Sequence, residues 1–144
     1  MQAEDLPEII SFETKRLAEA GVQDEEVVFA QWQAPWREES LNHYLPLGWS
    51  FGVWKEEALQ GYFLAQPLLF ARGFTQTLWV EHLSALTPTS ESELMDVAYK
   101  LAREKHFQKL LVNKKDSKES LPKSSLSFNQ ISDEVFEVNT SKIQ

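Results

Sequence analysis

Between Ser50 and Val112 the chain sets apolar runs between turn residues and then changes its period, which narrows the folds open to it. SFGVWK, LQGYFLAQPLLF and TQTLWVEHLS are rich in aromatic and branched residues and are separated by Glu56-Glu57-Ala58 and Arg72-Gly73. That pattern predicts three antiparallel strands joined by turns. Next comes a stretch in which Leu94, Val97, Ala98, Leu101 and Ala102 recur at helical spacing, followed by the aliphatic run Leu110-Leu111-Val112. A helix feeding a short buried run is a crossover to a parallel strand, expected to be right-handed. The fold class is therefore α+β: a mixed, mostly antiparallel, twisted sheet flanked by helices.

The flanks fit such a sheet. Asp5, with Pro7 near the first turn and Glu8 three residues on, predicts an N-capped helix that stops at Gly21. The segment Asp24–Gln33 mixes strand and helix signals and leans to helix. Trp36–Pro46 predicts a short second helix that Pro46 limits. Ser90 with Glu93 reads as the capping box of the long helix, and Lys105 and His106 suit its C-terminus. Residues 114–125 read as a polar loop or short helix, Glu134–Val138 as a last strand with Leu126 and Phe128 opening its partner, and 141–144 as a frayed tail. Pro67 inside the second strand demands an edge or a bulge.

With 144 residues the expectation is a single domain over 1–144, able to bury about two-thirds of its extended surface without a staple. There are no cysteines, which removes disulfides, thiolate nucleophiles and Cys-based zinc sites and makes a cytoplasmic compartment the default. QAEDLPE after Met1 predicts no secretory signal, and no apolar run is long enough to predict a membrane span. The net charge of −8 argues against nucleic acid as the partner. Residues 100–123 nevertheless carry eight Lys/Arg against three Asp/Glu, so a basic segment sits in an acidic chain, either as a solvated loop or as an anion-binding rim. His43 and His106 lack a carboxylate at ligand spacing, so no metal site is expected. Oligomeric state stays open, a homodimer included. Strict alternation along the third strand would place Glu81 and His82 on opposite faces of the sheet.

Several stretches together resemble the GCN5-related N-acetyltransferase (GNAT) superfamily, more narrowly the type that acetylates the N-terminal amine of a ribosomal protein. They are DLPEIISFE, Pro35-Trp36 with REESL, SFGVWKEEALQGYFLAQ, TLWVEHLSA and ELMDVAYKLAREKHFQKLLVN. The resemblance implies acetyl-CoA in a gap between the strand TLWVEHLSA and the strand LLV. Leu83 and Ala85 would hold its arm through their backbone, with Thr89, Ser90, Ser92 and Asn113 completing the cofactor site. It also implies a primary amine or peptide as acceptor, with Glu81 or His82 as the base that removes its proton. In place of the glycine-rich phosphate loop of the family stands PTSESEL, Pro88–Leu94, and no tyrosine follows Tyr99 to protonate the leaving thiolate. Both departures fit a second reading equally: a catalytically silent relative that binds a peptide, a small ligand or a protein partner.

Overall fold

A computed structural model describes residues 1–21, 23, 26, 30–32, 34–68, 77–107 and 109–113, and the backbone of 129–130 and 135–139. A six-stranded sheet in the order β1-β2-β3-β4-β6-β5 carries helices on both faces. The strands are β1 (Phe51–Lys55), β2 (Ala58–Leu68), β3 (Thr77–Ala85), β4 (Lys109–Asn113), β5 (Asn129–Gln130) and β6 (Val135–Asn139). Among the described strands only the β3–β4 pair is parallel, as the intervening helix requires. The expected polar loop at 114–125, the start of the last hairpin at Leu126 and Phe128, the tail, and most of Asp24–Gln33 lie outside the described residues. Phe70 and Thr75, taken as strand ends, do too.

Helix α1 (Leu6–Glu19) and helix α2 (Glu38–Tyr44) cover one face. Ile9, Phe12, Leu41, Tyr44 and Leu45 pack there against Leu59, Tyr62 and Leu64 of β2. Helix α3 (Pro88–Glu104) covers the other, where Leu94, Met95, Ala98 and Ala102 meet Phe63, Ala65, Leu78, Val80, Leu110 and Val112. Close approach on this face is set by Gly61: a Cβ there would meet the Ser84 carbonyl at 2.9 Å and Leu94 Cδ1 at 3.0 Å.

Local signals account for the ends. Beyond α1, Gly21 takes a left-handed φ of 86°, the expected stop. Asp5 takes the N-cap position of α1 as expected, but its carboxylate makes no capping bond there; it accepts the N–H of Gln2 at 2.8 Å and closes a preceding 3-10 turn. The cap expected at Ser90 is displaced as well. Thr87 is the N-cap of α3, with Pro88 at the first helical position, and Ser90 lies within the first turn. At the other end His106 adopts φ 62°, donating its N–H to Arg103 O, while the Phe107 N–H bonds Ala102 O at 2.8 Å. These two bonds make a Schellman motif with histidine in the position that glycine prefers.

Pro67 shows how the register decides what a strand tolerates. The N–H of Ala65 points to the β1 side, where the buried Ser50 hydroxyl accepts it at 3.2 Å. Two residues on, the Pro67 nitrogen points the same way, past the last β1 pair at Phe51↔Phe63. No ladder bond is lost there.

Candidate functional site

The site begins with a defect in β3. Opposite the consecutive residues Leu64 and Ala65 of β2 stand His82 and Val80, so Glu81 is the extra residue of a β-bulge. Bulges bend a strand and end pairing. On the far side, the parallel ladder to β4 stops at this point: its last pair is Val80↔Val112, although β3 continues from Glu81 to Ala85. Among the described residues, the ladder between these two strands thus ends at the bulge.

Backbone alternation fixes what lines that gap. Leu86 donates its N–H to Gln60 O at 2.9 Å, so Ser84 and His82, two and four residues back, also spend their backbone groups on β2. The N–H and C=O of Leu83 and Ala85 consequently aim away from β2, toward the β4 side. Beyond Val80 no described residue of β4 pairs with them. A strand edge with alternating donors and acceptors suits a chain of amide groups such as a pantetheine arm.

The bulge also overturns the expectation that Glu81 and His82 face opposite ways. One extra residue breaks the two-residue period, and both side chains lie on the α1/α2 side. The Trp79 indole N–H donates to Glu81 Oε2 at 2.6 Å, and no described group hydrogen-bonds the other carboxylate oxygen. Tyr44 of α2 lies close by: burial first, and then the charge of Glu81, push its phenol up to about 12. Beside it, His43 Nε2 is 3.0 Å from Gln66 Oε1.

His82 belongs to a second, deeper cluster built on Glu13 of α1. That carboxylate is 6% exposed, yet it accepts hydrogen bonds from Tyr62 Oη at 3.1 Å and Ser84 Oγ at 2.8 Å and lies 3.1 Å from His82 Nε2. Arg16, one turn on, bonds Ser84 Oγ and stands 3.7 Å from Glu13. Burial alone would raise the Glu13 carboxyl, but His82, Ser84 and Arg16 together hold it below the ordinary carboxylate range. The same burial, reinforced by the Glu13 charge, drives the Tyr62 phenol far up. This cluster clamps α1 onto the outer half of β3. Its sequence signal was a carboxylate on the buried stripe of α1, four residues after Ile9 and four before Leu17, where burial demands partners.

The remaining candidates sit around the start of α3. Thr87 Oγ1 accepts the Ser90 N–H at 3.1 Å and donates to Ser90 Oγ at 3.1 Å, and Ser90 is buried. The Glu91 N–H is bonded to Thr87 O at 3.0 Å. Thr89 is exposed, whereas Ser92 is half-buried. Asn113 ends β4, half-buried and paired with Val135. Among the described residues, the hydroxyl of Ser90 is thus bonded within the helix start, and Glu91 adds an acidic side chain to the same turn. No group of three His, Cys, Asp or Glu among the described residues is placed to hold a metal ion, and no described helix is long and apolar enough to cross a membrane.

No family profile matches the sequence, and no curated protein does. Among solved structures, the PaiA N-acetyltransferase of Thermoplasma acidophilum, in complex with coenzyme A, superposes with a TM-score of 0.62 at 15% identity, over 96% of this chain and 95% of that one. A variant of the Thermus thermophilus protein TTHA1254 aligns over 51% of this chain and 55% of that one, at 20% identity and a TM-score of 0.46. The match to TTHA1254 spans about half of each protein and adds nothing to the argument. The near-complete superposition on PaiA, together with the strand order and the parallel pair β3–β4, shows a GNAT-like fold, a mixed, mostly antiparallel sheet flanked by helices.

Proposed function

We propose that the chain is an N-acyltransferase that takes an acyl thioester of the acetyl-CoA type in the β3–β4 gap and transfers its acyl group to a primary amine. The observation that carries this reading is the end of the parallel ladder at Val80, which leaves the backbone of Leu83 and Ala85 aimed at the gap. The coenzyme A in the PaiA structure supports it by analogy of fold.

The thioester supplies an acyl carbon with a tolerable leaving group, so the amine attacks it directly; the chain has no cysteine for a covalent intermediate on sulfur. Leu83 and Ala85 hold the donor arm as an added strand would be held. Glu81, with one oxygen fixed by the Trp79 indole and the other unoccupied among the described residues, takes the amine proton directly or through one water. The C–N bond forms as the C–S bond breaks, and the thiolate leaves into solvent, where water protonates it. His82 is the poorer base, because the nitrogen nearest the cluster is committed to Glu13. The acceptor class that the sequence resemblance favours is the N-terminal amine of a peptide, of the ribosomal-protein type. A negatively charged Glu81 favours such a cation on approach.

Calorimetric titration with acetyl-CoA, followed by acetyl transfer to a peptide amine, tests the reading. Binding with turnover that falls by about 100-fold in Glu81→Gln is expected. Binding without turnover would favour the silent relative, and no heat at millimolar ligand would remove both the donor site and the transferase.

A further inference from the structure

The sheet ends on one side at β1, and its pairing shows which backbone groups of that strand are spent. Leu86 bonds Gln60 O on the β3 side of β2, so Gly61 and Phe63, one and three residues on, turn their backbone groups toward β1. Their partners Val53 and Phe51 are therefore the hydrogen-bonded positions of β1, and Ser50, Gly52 and Trp54 aim their N–H and C=O outward. The Ser50 carbonyl confirms that direction by accepting from the Met1 ammonium at 2.7 Å. The N–H and C=O of Gly52 and of Trp54 have no partner among the described residues.

Nothing in β1 blunts this edge. The irregularity of the β1–β2 ladder lies in β2, where Gln60 is the extra residue, so β1 keeps its two-residue period. It contains no proline, and its charged residue, Lys55, stands at the end. Trp54 is 43% exposed, and Lys55, Glu56 and Glu57 are exposed beside it. A second β1 fits in one register. A twofold axis at Val53 sets Gly52 of each copy opposite Trp54 of the other, so both N–H and both C=O groups of each edge are bonded. A slip by two residues in either direction brings Trp54 against Ser50, whose carbonyl is taken, or Gly52 against Glu56, which lies in the turn at φ 51°.

Side chains agree with that register. Gly52 and Trp54 share the face of Leu59, so the two indoles come together across the axis on the α1/α2 side, and Val53 meets Val53 on the α3 side. Beyond the ladder, Glu56 of one copy comes opposite Ser50 of the other, beside the Met1 ammonium. Glu56 and Glu57 have no ion-pair partner within the chain among the described residues. A carboxylate thus meets an ammonium at each end of the interface.

We infer that the chain forms a twofold homodimer through β1, which joins two sheets into one continuous sheet. A second copy fits better than a foreign strand, because only a copy matches Gly52 with Trp54 twice and brings a carboxylate to each Met1 ammonium. The donor site lies on β3, and either can fail without the other.

Sedimentation velocity of the wild-type protein between about 5 and 500 μM should show monomer passing into dimer. Trp54→Lys should weaken the dimer by at least about 30-fold and leave the melting temperature of the dilute monomer unchanged. Because the chain has no cysteine, single-thiol variants report the register. Val53→Cys should form a disulfide-linked dimer under a mild thiol oxidant, since the two Cα atoms would lie about 4.5 Å apart across the axis. Lys55→Cys should not, because the two positions would stand roughly 13 Å apart along the strands. A monomer at every concentration, a dimer indifferent to Trp54→Lys, or a dimer in which Val53→Cys fails to cross-link would each overturn the inference.

Discussion

The two halves of β3 differ in composition and in duty. From Thr77 to Val80 the strand is paired on both sides, antiparallel to β2 and parallel to β4, and Leu78 and Val80 are fully buried under α3. From Glu81 to Ala85 it keeps β2 and has no described partner on the β4 side, and its side chains on the helical face opposite α3 are polar: Glu81, His82 and Ser84. One bulged residue divides them. The inner half supplies rigidity, and the outer half carries backbone groups without a described partner on a support that the inner half holds still. A strand can thus be both core and binding edge if a bulge separates the two roles.

The outer half needs its own anchor, and the Glu13 cluster is that anchor. Glu13→Ala should produce the largest effect, a loss of about 3–5 kcal/mol, because it leaves His82, Ser84, Tyr62 and Arg16 without their shared acceptor. Urea denaturation checks this; a loss below about 1 kcal/mol would mean that α1 is not clamped through Glu13. The cluster also sets an acid limit. Since the folded state holds the Glu13 carboxyl below its ordinary range, its contribution is complete above the unfolded carboxylate value of about 4.3 and is lost as pH falls through the lowered one. Stability should therefore decline with acidification below about pH 5, and the decline should be shallower in Glu13→Gln. An identical slope in both proteins would place the acid sensitivity elsewhere.

Gly61 sharpens the comparison from the other face, since it sits opposite Ala85 at the end of the outer half and against Leu94 of α3. Gly61→Ala should cost about 1–3 kcal/mol, because the added Cβ meets backbone at 2.9 Å and cannot be relieved by a side-chain rotation. A neutral or stabilising substitution would show that α3 and β3 are not held at that distance. Smallest, and opposite in sign, is the helix end: His106→Gly should stabilise by about 0.5–1 kcal/mol, as glycine takes the left-handed φ of 62° without strain. A lower melting temperature in this variant would contradict the Schellman assignment.

How far each feature could be read from the chain depends on whether its cause is local. The strands around Gly61 and Trp79, the stop at Gly21 and the stripe from Leu94 to Ala102 follow from short-range pattern, and they stand where the pattern puts them. The start of α3 lies three residues before the Ser90 that the capping-box pattern points to, because Thr87 followed by Pro88 carries the same cap signal with a better first residue. The bulge at Glu81 has no local mark. It arises from the register between β2 and β3, and with it the faces of Glu81 and His82 change together. Glu13 was legible only as a carboxylate on an apolar stripe; its partners come from β2 and β3, far along the chain.

The central claim is that the outer half of β3 offers unpaired backbone groups to a ligand. Amide hydrogen exchange tests it residue by residue, because the N–H groups of Leu78, Val80, Leu83 and Ala85 all point to the same side of the strand. In the free protein Leu83 and Ala85 should exchange at least about tenfold faster than Leu78 and Val80, and acetyl-pantetheine should slow the outer pair while leaving the inner pair unchanged. Equal protection of all four without ligand, or no change at Leu83 and Ala85 with it, would contradict the account.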